Sequence, residues 1–166
     1  LLEGVCISGG EALLQEGNEE VLIRNRQMGY AIKLDTNGSK PKKLKELIDK
    51  QLIDYVAMDV KNDPSHYGET IGISDFDLSP IMESVELLKH GRIPYEFRTT
   101  VVKEYHNEER LKALAQWLKG GSVYYLQPFV DSEKTILKGL HPHDTQDLYA
   151  FQVICNAYIP TKIRGL

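Results

Sequence analysis

The chain has 166 residues, the length of one ordinary domain, with 42% apolar and 27% charged positions and no low-complexity segment. Its net charge of −4 offers no basic surplus for nucleic acid, and no apolar run is long enough to cross a bilayer. The N-terminal apolar residues stop at Ile7 without a basic leader, so the expectation is a cytoplasmic protein without a signal peptide.

Strand and helix patterns alternate along the chain. Gly4–Ser8 is a short apolar run that ends in Gly9-Gly10. Glu11–Met28 predicts one helix, with Leu13, Leu14, Val21, Leu22 and Met28 as apolar positions and Gly29 as its stop. Tyr30–Leu34 predicts a strand running into Asp35-Thr36-Asn37-Gly38, and Pro41 opens a helix carrying Leu44, Leu47 and Ile48. Tyr55–Val60 is the third strand, followed by a long loop over Asn62–Asp77 with room for one helical turn. Ser79 reads as an N-cap with Pro80 behind it, and the helix Ile81–His90 closes at Gly91. A strand at Tyr95–Val102, a helix at Asn107–Lys119 and a strand at Val123–Leu126 follow. Thr145 caps a last helix to about Tyr158, and Lys162–Arg164 is a terminal strand. Such alternation means parallel βαβ units in one α/β domain, with the strands buried on both faces.

In parallel α/β folds, ligands bind beyond the carboxyl ends of the strands. Here those ends deliver Ser8-Gly9-Gly10-Glu11, Asp35-Thr36-Asn37-Gly38, Asp59-Val60-Lys61, Arg98-Thr99-Thr100 and Gln127-Pro128-Phe129. Gly9 and Gly10 let the backbone approach a ligand closely. Glu11 can accept hydrogen bonds from an ammonium group. Asp35, Thr36 and Asn37 suit ribose hydroxyls or an amino-acid head. Lys61 and Arg98 suit a carboxylate, Arg98 in bidentate fashion. The set matches a zwitterionic amino acid joined to a nucleoside. A nucleotide phosphate fits less well, because neither GxxxxGK[ST] nor GxGxxG is present.

Gly4-Val5-Cys6-Ile7-Ser8-Gly9-Gly10-Glu11-Ala12 resembles the Gly-Gly-Glu segment of radical S-adenosylmethionine (SAM) enzymes, notably the activators of glycyl-radical enzymes. Leu34–Gly38 and Ala57–Lys61 resemble that family's next two strand ends. Tyr95–Val102 and Tyr125–Phe129 are most similar to the activating proteins of anaerobic ribonucleoside-triphosphate reductase. The resemblance runs through nearly the whole chain in the family's order. It implies part of a (β/α)6 partial barrel. It implies Gly9, Gly10 and Glu11 at the SAM amino group, and Asp35, Thr36, Asn37, Asp59, Lys61 and Arg98 around its carboxylate and ribose. Gln127 is implied near the adenine. In the family, a reduced 4Fe–4S cluster cleaves SAM to a 5′-deoxyadenosyl radical, which takes hydrogen from a glycine of the partner enzyme. A flavodoxin- or ferredoxin-type donor is the implied electron source.

The family holds its cluster with a CxxxCxxC loop, and iron–sulfur clusters need cysteine thiolates. Cys6 and Cys155 have no such spacing and read as reduced thiols, so no metal ligand and no catalytic residue is assigned. The chain begins at Leu1 with a strand almost at once, and that strand matches the family's second. The expectation is therefore a chain lacking the family's first βα unit, inactive alone, with an unpaired edge at Gly4–Ser8 that favours self-association.

Two other functions stay open. One is an aldolase-like barrel with a Schiff base on Lys61; the other is a non-catalytic SAM-binding module. His141-Pro142-His143-Asp144 has no recognised metal spacing and reads as a loop capping the last helix. The Lys40–Lys50 stretch reads as a solvated helix face.

Overall fold

The computed structural model describes residues 2–15, 17–131 and 137–166. The chain runs β1 (Gly4–Ile7), a 3-10 turn (Ala12–Leu14), α1 (Asn18–Gln27), β2 (Ala31–Thr36), α2 (Pro41–Asp49) and β3 (Tyr55–Asp59). Then come α3 (Tyr67–Ile71), α4 (Ser79–His90), β4 (Tyr95–Val101), α5 (Glu108–Trp117), β5 (Tyr124–Pro128), α6 (Thr145–Asn156) and β6 (Thr161–Ile163). The six strands form one open sheet whose order follows the chain. β1–β2, β2–β3, β4–β5 and β5–β6 pair in parallel, as strands joined through helical crossovers must. This is the α/β architecture that the alternating pattern predicts, and a partial barrel is consistent with it.

The chain divides into two compact units, one of Leu1–Asp59 with Asp77–Glu96, the other of Val60–Phe76 with Phe97–Leu166. In the first, one face of β2 and β3 presents Ile32, Leu34, Val56 and Met58, and all are buried. Leu44 and Leu47 of α2 and Ile81, Val85 and Leu88 of α4 complete this core, and the two helices pack together. Each such side chain contributes about 1.5–3 kcal/mol on burial. Gly38 lies against it in a left-handed conformation (φ 77°), and a Cβ there would stand 2.1 Å from Met58 Cε.

The single helix expected over Glu11–Met28 is two pieces, and residue 16 lies outside the described residues. Gly17 turns left-handed (φ 83°), and the Asn18 side-chain amide donates to the Ala12 carbonyl, so α1 starts afresh. Of its expected apolar stripe, Leu22 is buried while Leu14, Val21 and Met28 are exposed. The stop at Gly29 holds: its φ is 84°, and the Tyr30 N–H reaches back to the Asn25 carbonyl at 3.2 Å. At α4, Ser79 lies inside the helix, and its N–H is taken by Asp77 Oδ1 at 3.0 Å.

In the second unit, Phe97, Tyr124 and Leu126 of the strands are buried, as are Leu111, Leu114 and Leu118 of the α5 region and Leu148 and Phe151 of α6, and α5 packs on α6. Asn107 caps α5 by accepting the Arg110 N–H at 2.9 Å. The Asn62–Asp77 loop holds the short α3, whose Tyr67 stacks on Phe76 and meets Trp117 edge-on.

Candidate functional site

The first unit carries the ends of β1, β2 and β3. Gly9 (φ 107°) and Gly10 (φ 57°) need the conformational freedom of glycine, and no atom lies within 4 Å of where a Cβ would stand at either. This stretch is an uncovered backbone cradle, although the Gly9 carbonyl accepts the Gln15 side-chain amide at 3.2 Å.

Glu11 is 9% exposed and is heavily engaged. Its Oε1 accepts the Thr36 hydroxyl at 2.8 Å and the Leu13 N–H at 3.1 Å, and its Oε2 accepts the Asn37 N–H at 2.6 Å. Thr36 Oγ1 in turn accepts the Gly38 N–H, and Asn37 Oδ1 accepts the Ser39 N–H. Glu11 thus clasps the end of β1 to the end of β2. A carboxylate has about four acceptor positions, and this one spends most of them inside the protein. Of the residues singled out from sequence, Glu11, Thr36 and Asn37 are therefore in direct contact. Asp35 points from the opposite face of β2, with its Oδ1 3.4 Å from Lys33 Nζ. Asp59 is half-buried at the end of β3.

The second unit carries Lys61, Arg98 and Gln127, all half-buried. The Lys61 carbonyl is 2.9 Å from His106 Nε2, and the Val102 N–H donates to His106 Nδ1 at 3.0 Å. His106 therefore carries its proton on Nε2 and pins the loop after β3 to the end of β4. Burial pushes the His106 pKa below the usual histidine range, despite opposing hydrogen bonds to the Lys61 and Val102 backbone. Arg98 stands in register with Tyr125, and Thr100 with Gln127. The Arg164 guanidinium lies 3.7 Å from the centre of the Tyr125 ring, a cation–π contact absent from the sequence reading.

The His141–Asp144 segment is a clamp. His141 Nδ1 lies 2.6 Å from Glu104 Oε1, and the Lys103 N–H donates to the His141 carbonyl. His143 Nε2 is 2.9 Å from the His106 carbonyl, its Nδ1 3.2 Å from Asp147, and its ring meets Phe151 edge-on. Among the described residues, no group of three or more His, Cys, Asp or Glu is placed to hold a metal.

SAM and a 4Fe–4S cluster are the groups that the family resemblance implies, and the residues treat them differently. The uncovered Gly9-Gly10 backbone beside the Glu11 carboxylate is compatible with the amino-acid head of SAM. The cluster does not fit. Cys6 is exposed on β1. Cys155 is buried, its Sγ 3.6 Å from the Leu111 carbonyl, and burial pushes its pKa up to about 12, which keeps it a protonated thiol. No step is therefore built on a cluster held by these residues.

Solved structures share this fold. The structure superposes on a domain of pyruvate-formate lyase-activating enzyme from Bacteroides vulgatus with a TM-score of 0.79 at 20% identity, covering 98% of this chain and 99% of that one. A radical SAM methyltransferase from Sphaerobacter thermophilus superposes with a TM-score of 0.78 at 16% identity over 98% of this chain and 51% of that one. No family model matches the chain. In sequence it is 34% identical over 131 residues to a candidate glycyl-radical enzyme activating enzyme of Methanocaldococcus jannaschii, over 76% of this chain and 55% of that protein. It is 32% identical over 158 residues to the 7-carboxy-7-deazaguanine synthase of Methanopyrus kandleri, over 92% of this chain and 54% of that protein. The chain thus spans about half the length of the curated relatives it matches. The structural likenesses, at 16–20% identity, show that the fold is shared. Among the described residues, no helix is long and apolar enough to cross a membrane.

Proposed function

We propose that the chain is the SAM-binding part of a radical SAM activating enzyme that generates a glycyl radical on a partner enzyme. The observation that carries this reading is the Glu11 clasp, which ties β1 to Thr36 and Asn37 and leaves the Gly9-Gly10 backbone uncovered beside it. On this reading Gly9 and Gly10 receive the SAM ammonium group, and the outer lone pairs of Glu11 contribute. Asp35, Thr36, Asn37 and Asp59 border the ribose and carboxylate. Lys61, Arg98 and Gln127 keep the roles that the resemblance assigns, Lys61 and Arg98 around the carboxylate and ribose and Gln127 near the adenine. When bound and reduced in the whole enzyme, SAM supplies hydrogen-abstracting radical chemistry. What these residues do is bind and orient it. The likeness of Tyr95–Val102 and Tyr125–Phe129 to activators of anaerobic ribonucleoside-triphosphate reductase favours that reductase as the partner, in a cytoplasmic setting with a flavodoxin- or ferredoxin-type donor.

Calorimetric titration of the chain with SAM tests the reading. Saturable binding is expected, weakened about tenfold or more in Glu11→Ala, since a charged hydrogen-bond centre is lost. Absence of binding by the folded chain, or equal binding by folded Glu11→Ala, would overturn it. A second reading rests on the likeness to the deazaguanine synthase, which extends over more of the chain than the likeness to the activating enzyme. The whole protein separates the two. Incubated with SAM and a reductant, it either leaves a glycyl-radical electron paramagnetic resonance signal on a partner or forms a deazaguanine.

A further inference from the structure

The sheet has a second rim, at the amino ends of its strands. In the first unit a cavity of about 370 Å³ opens there, bordered by Asp54 just before β3 and by Ile93 and Pro94 just before β4. β3 has 5 residues, so at about 3.3 Å per residue the cavity stands about 16 Å from Asp59 at the other end of the strand. Its volume falls at the small end of the range for ligand pockets. Ile48 of α2 and Ile53 join Ile93 and Pro94 as its apolar walls.

The charged residues that line it are Arg26, Asp54 and Arg92. The first two are engaged with each other and with the backbone. Arg26 Nη1 and Nη2 donate to Asp54 Oδ2 and Oδ1, each at 2.9 Å. Arg26 Nε and Nη2 also donate to the Gln51 carbonyl, at 3.1 and 2.6 Å. Asp54 Oδ2 accepts the Ile32 N–H at 2.7 Å. Partial burial works against a charge on Asp54, but the Ile32 N–H and Arg26 hold its carboxyl below the ordinary carboxylate range, so it is an anion at neutral pH. Gln51 completes this wall in a left-handed backbone (φ 55°) that non-glycine residues adopt at a cost.

Arg92 differs from Arg26. It is exposed, and among the described residues its guanidinium has neither an ion pair nor a hydrogen-bond acceptor. Glu86, the acid that precedes it in the chain, is taken by Lys89 and His90. Two arginines against one carboxylate leave the lining at a net charge of +1, and the surplus is Arg92.

We infer that this cavity binds an apolar monocarboxylic acid. A guanidinium fork matches a carboxylate with two parallel hydrogen bonds. A single negative charge balances the surplus, whereas a dianion exceeds it. The isoleucine and proline walls receive the apolar body, whose removal from water adds to the attraction. The inference is independent of the cofactor reading, because the two sites lie at opposite ends of β3.

The test is a titration of the whole chain labelled with 15Nε-arginine, the Arg92 signal being identified by its loss in Arg92→Lys. The probes are benzoate, octanoate, N-acetylphenylalanine, benzyl alcohol and acetate. A saturable shift of the Arg92 signal is expected with at least one of the three apolar acids. Benzyl alcohol, which lacks the charge, and acetate, which lacks the apolar body, should each bind about tenfold more weakly or worse. Arg92→Gln should weaken the acid about tenfold, and the exposed, unpaired position leaves the fold intact. Tighter binding of N-acetylphenylalanine than of benzoate and octanoate assigns the carboxylate to a polypeptide C-terminus, and the reverse order assigns it to a free acid. No saturable shift with any of the three acids, equal binding of benzyl alcohol or acetate, or wild-type affinity in the folded Arg92→Gln variant would overturn the inference.

Discussion

At single positions the structure turns sequence signals into specific demands. Gly38 follows the Asp35-Thr36-Asn37 signal and looks like an ordinary turn glycine. Its carbonyl accepts the Ser84 hydroxyl at 2.6 Å, and Met58 leaves no room for a Cβ. Gly38→Ala combines a left-handed strain with a clash that the flexible Met58 end relieves only in part. It should destabilise the chain by about 1–3 kcal/mol, read by urea denaturation, and an unchanged midpoint would refute the account. Glu11 was legible as a functional residue, but its partners were not, because a one-dimensional pattern does not show that Thr36 and Asn37 return beside it. Glu11→Gln should also destabilise the fold, since one amide end must face either the Asn37 N–H or the Leu13 N–H. A loss of about 1–3 kcal/mol is expected, as for a buried donor left unsatisfied, and full stability would show that the clasp is dispensable.

Elements were legible where period and punctuation agreed, as in α5 and β2, and less so where tertiary contacts decided. The α1 region read as one amphipathic helix because Leu and Val recur at helical spacing, yet Leu14 and Val21 are exposed. The Glu11 clasp fixes the chain's direction after β1, and Gly17 permits the break. Lys43 and Lys50 each reach Glu19 of α1 and Glu46 of α2, so part of the Lys40–Lys50 face is an interhelix network and not only solvated charge. His106 is the element-scale pin of the second unit, and its charge state makes that unit acid-sensitive. Its folded pKa lies below the ordinary value of 6.5, so just below that pH the unfolded chain binds more protons than the native one. Its contribution is complete above pH 6.5 and is lost as pH falls toward the folded pKa. Urea midpoints measured at descending pH should fall over this range, less steeply in a folded His106→Asn variant. Parallel slopes in the two proteins would remove His106 as the cause.

Over the whole molecule, the alternation of strands and helices was enough to give the sheet and its strand-end residues, because both follow from local period. Lys33, Tyr55 and Glu96 were not legible as a group, since they stand two or more residues before their strand ends and come together only through the register of the sheet. The two cysteines supply a probe of this level of organisation. Thiol reagents attack the thiolate, so exposure and pKa together set the rate. Cys6 is exposed on the edge strand β1. Cys155 lies among the α5 and α6 side chains with its pKa pushed up to about 12 by burial. Under native conditions one thiol should therefore react promptly, be lost in Cys6→Ser, and leave the second unmodified until the chain opens. The slow phase should disappear in Cys155→Ala and accelerate with urea in step with the loss of helical circular dichroism. Prompt reaction of both thiols in the folded chain would show that the second unit opens without unfolding, contrary to the packing of Leu111, Phe151 and Cys155.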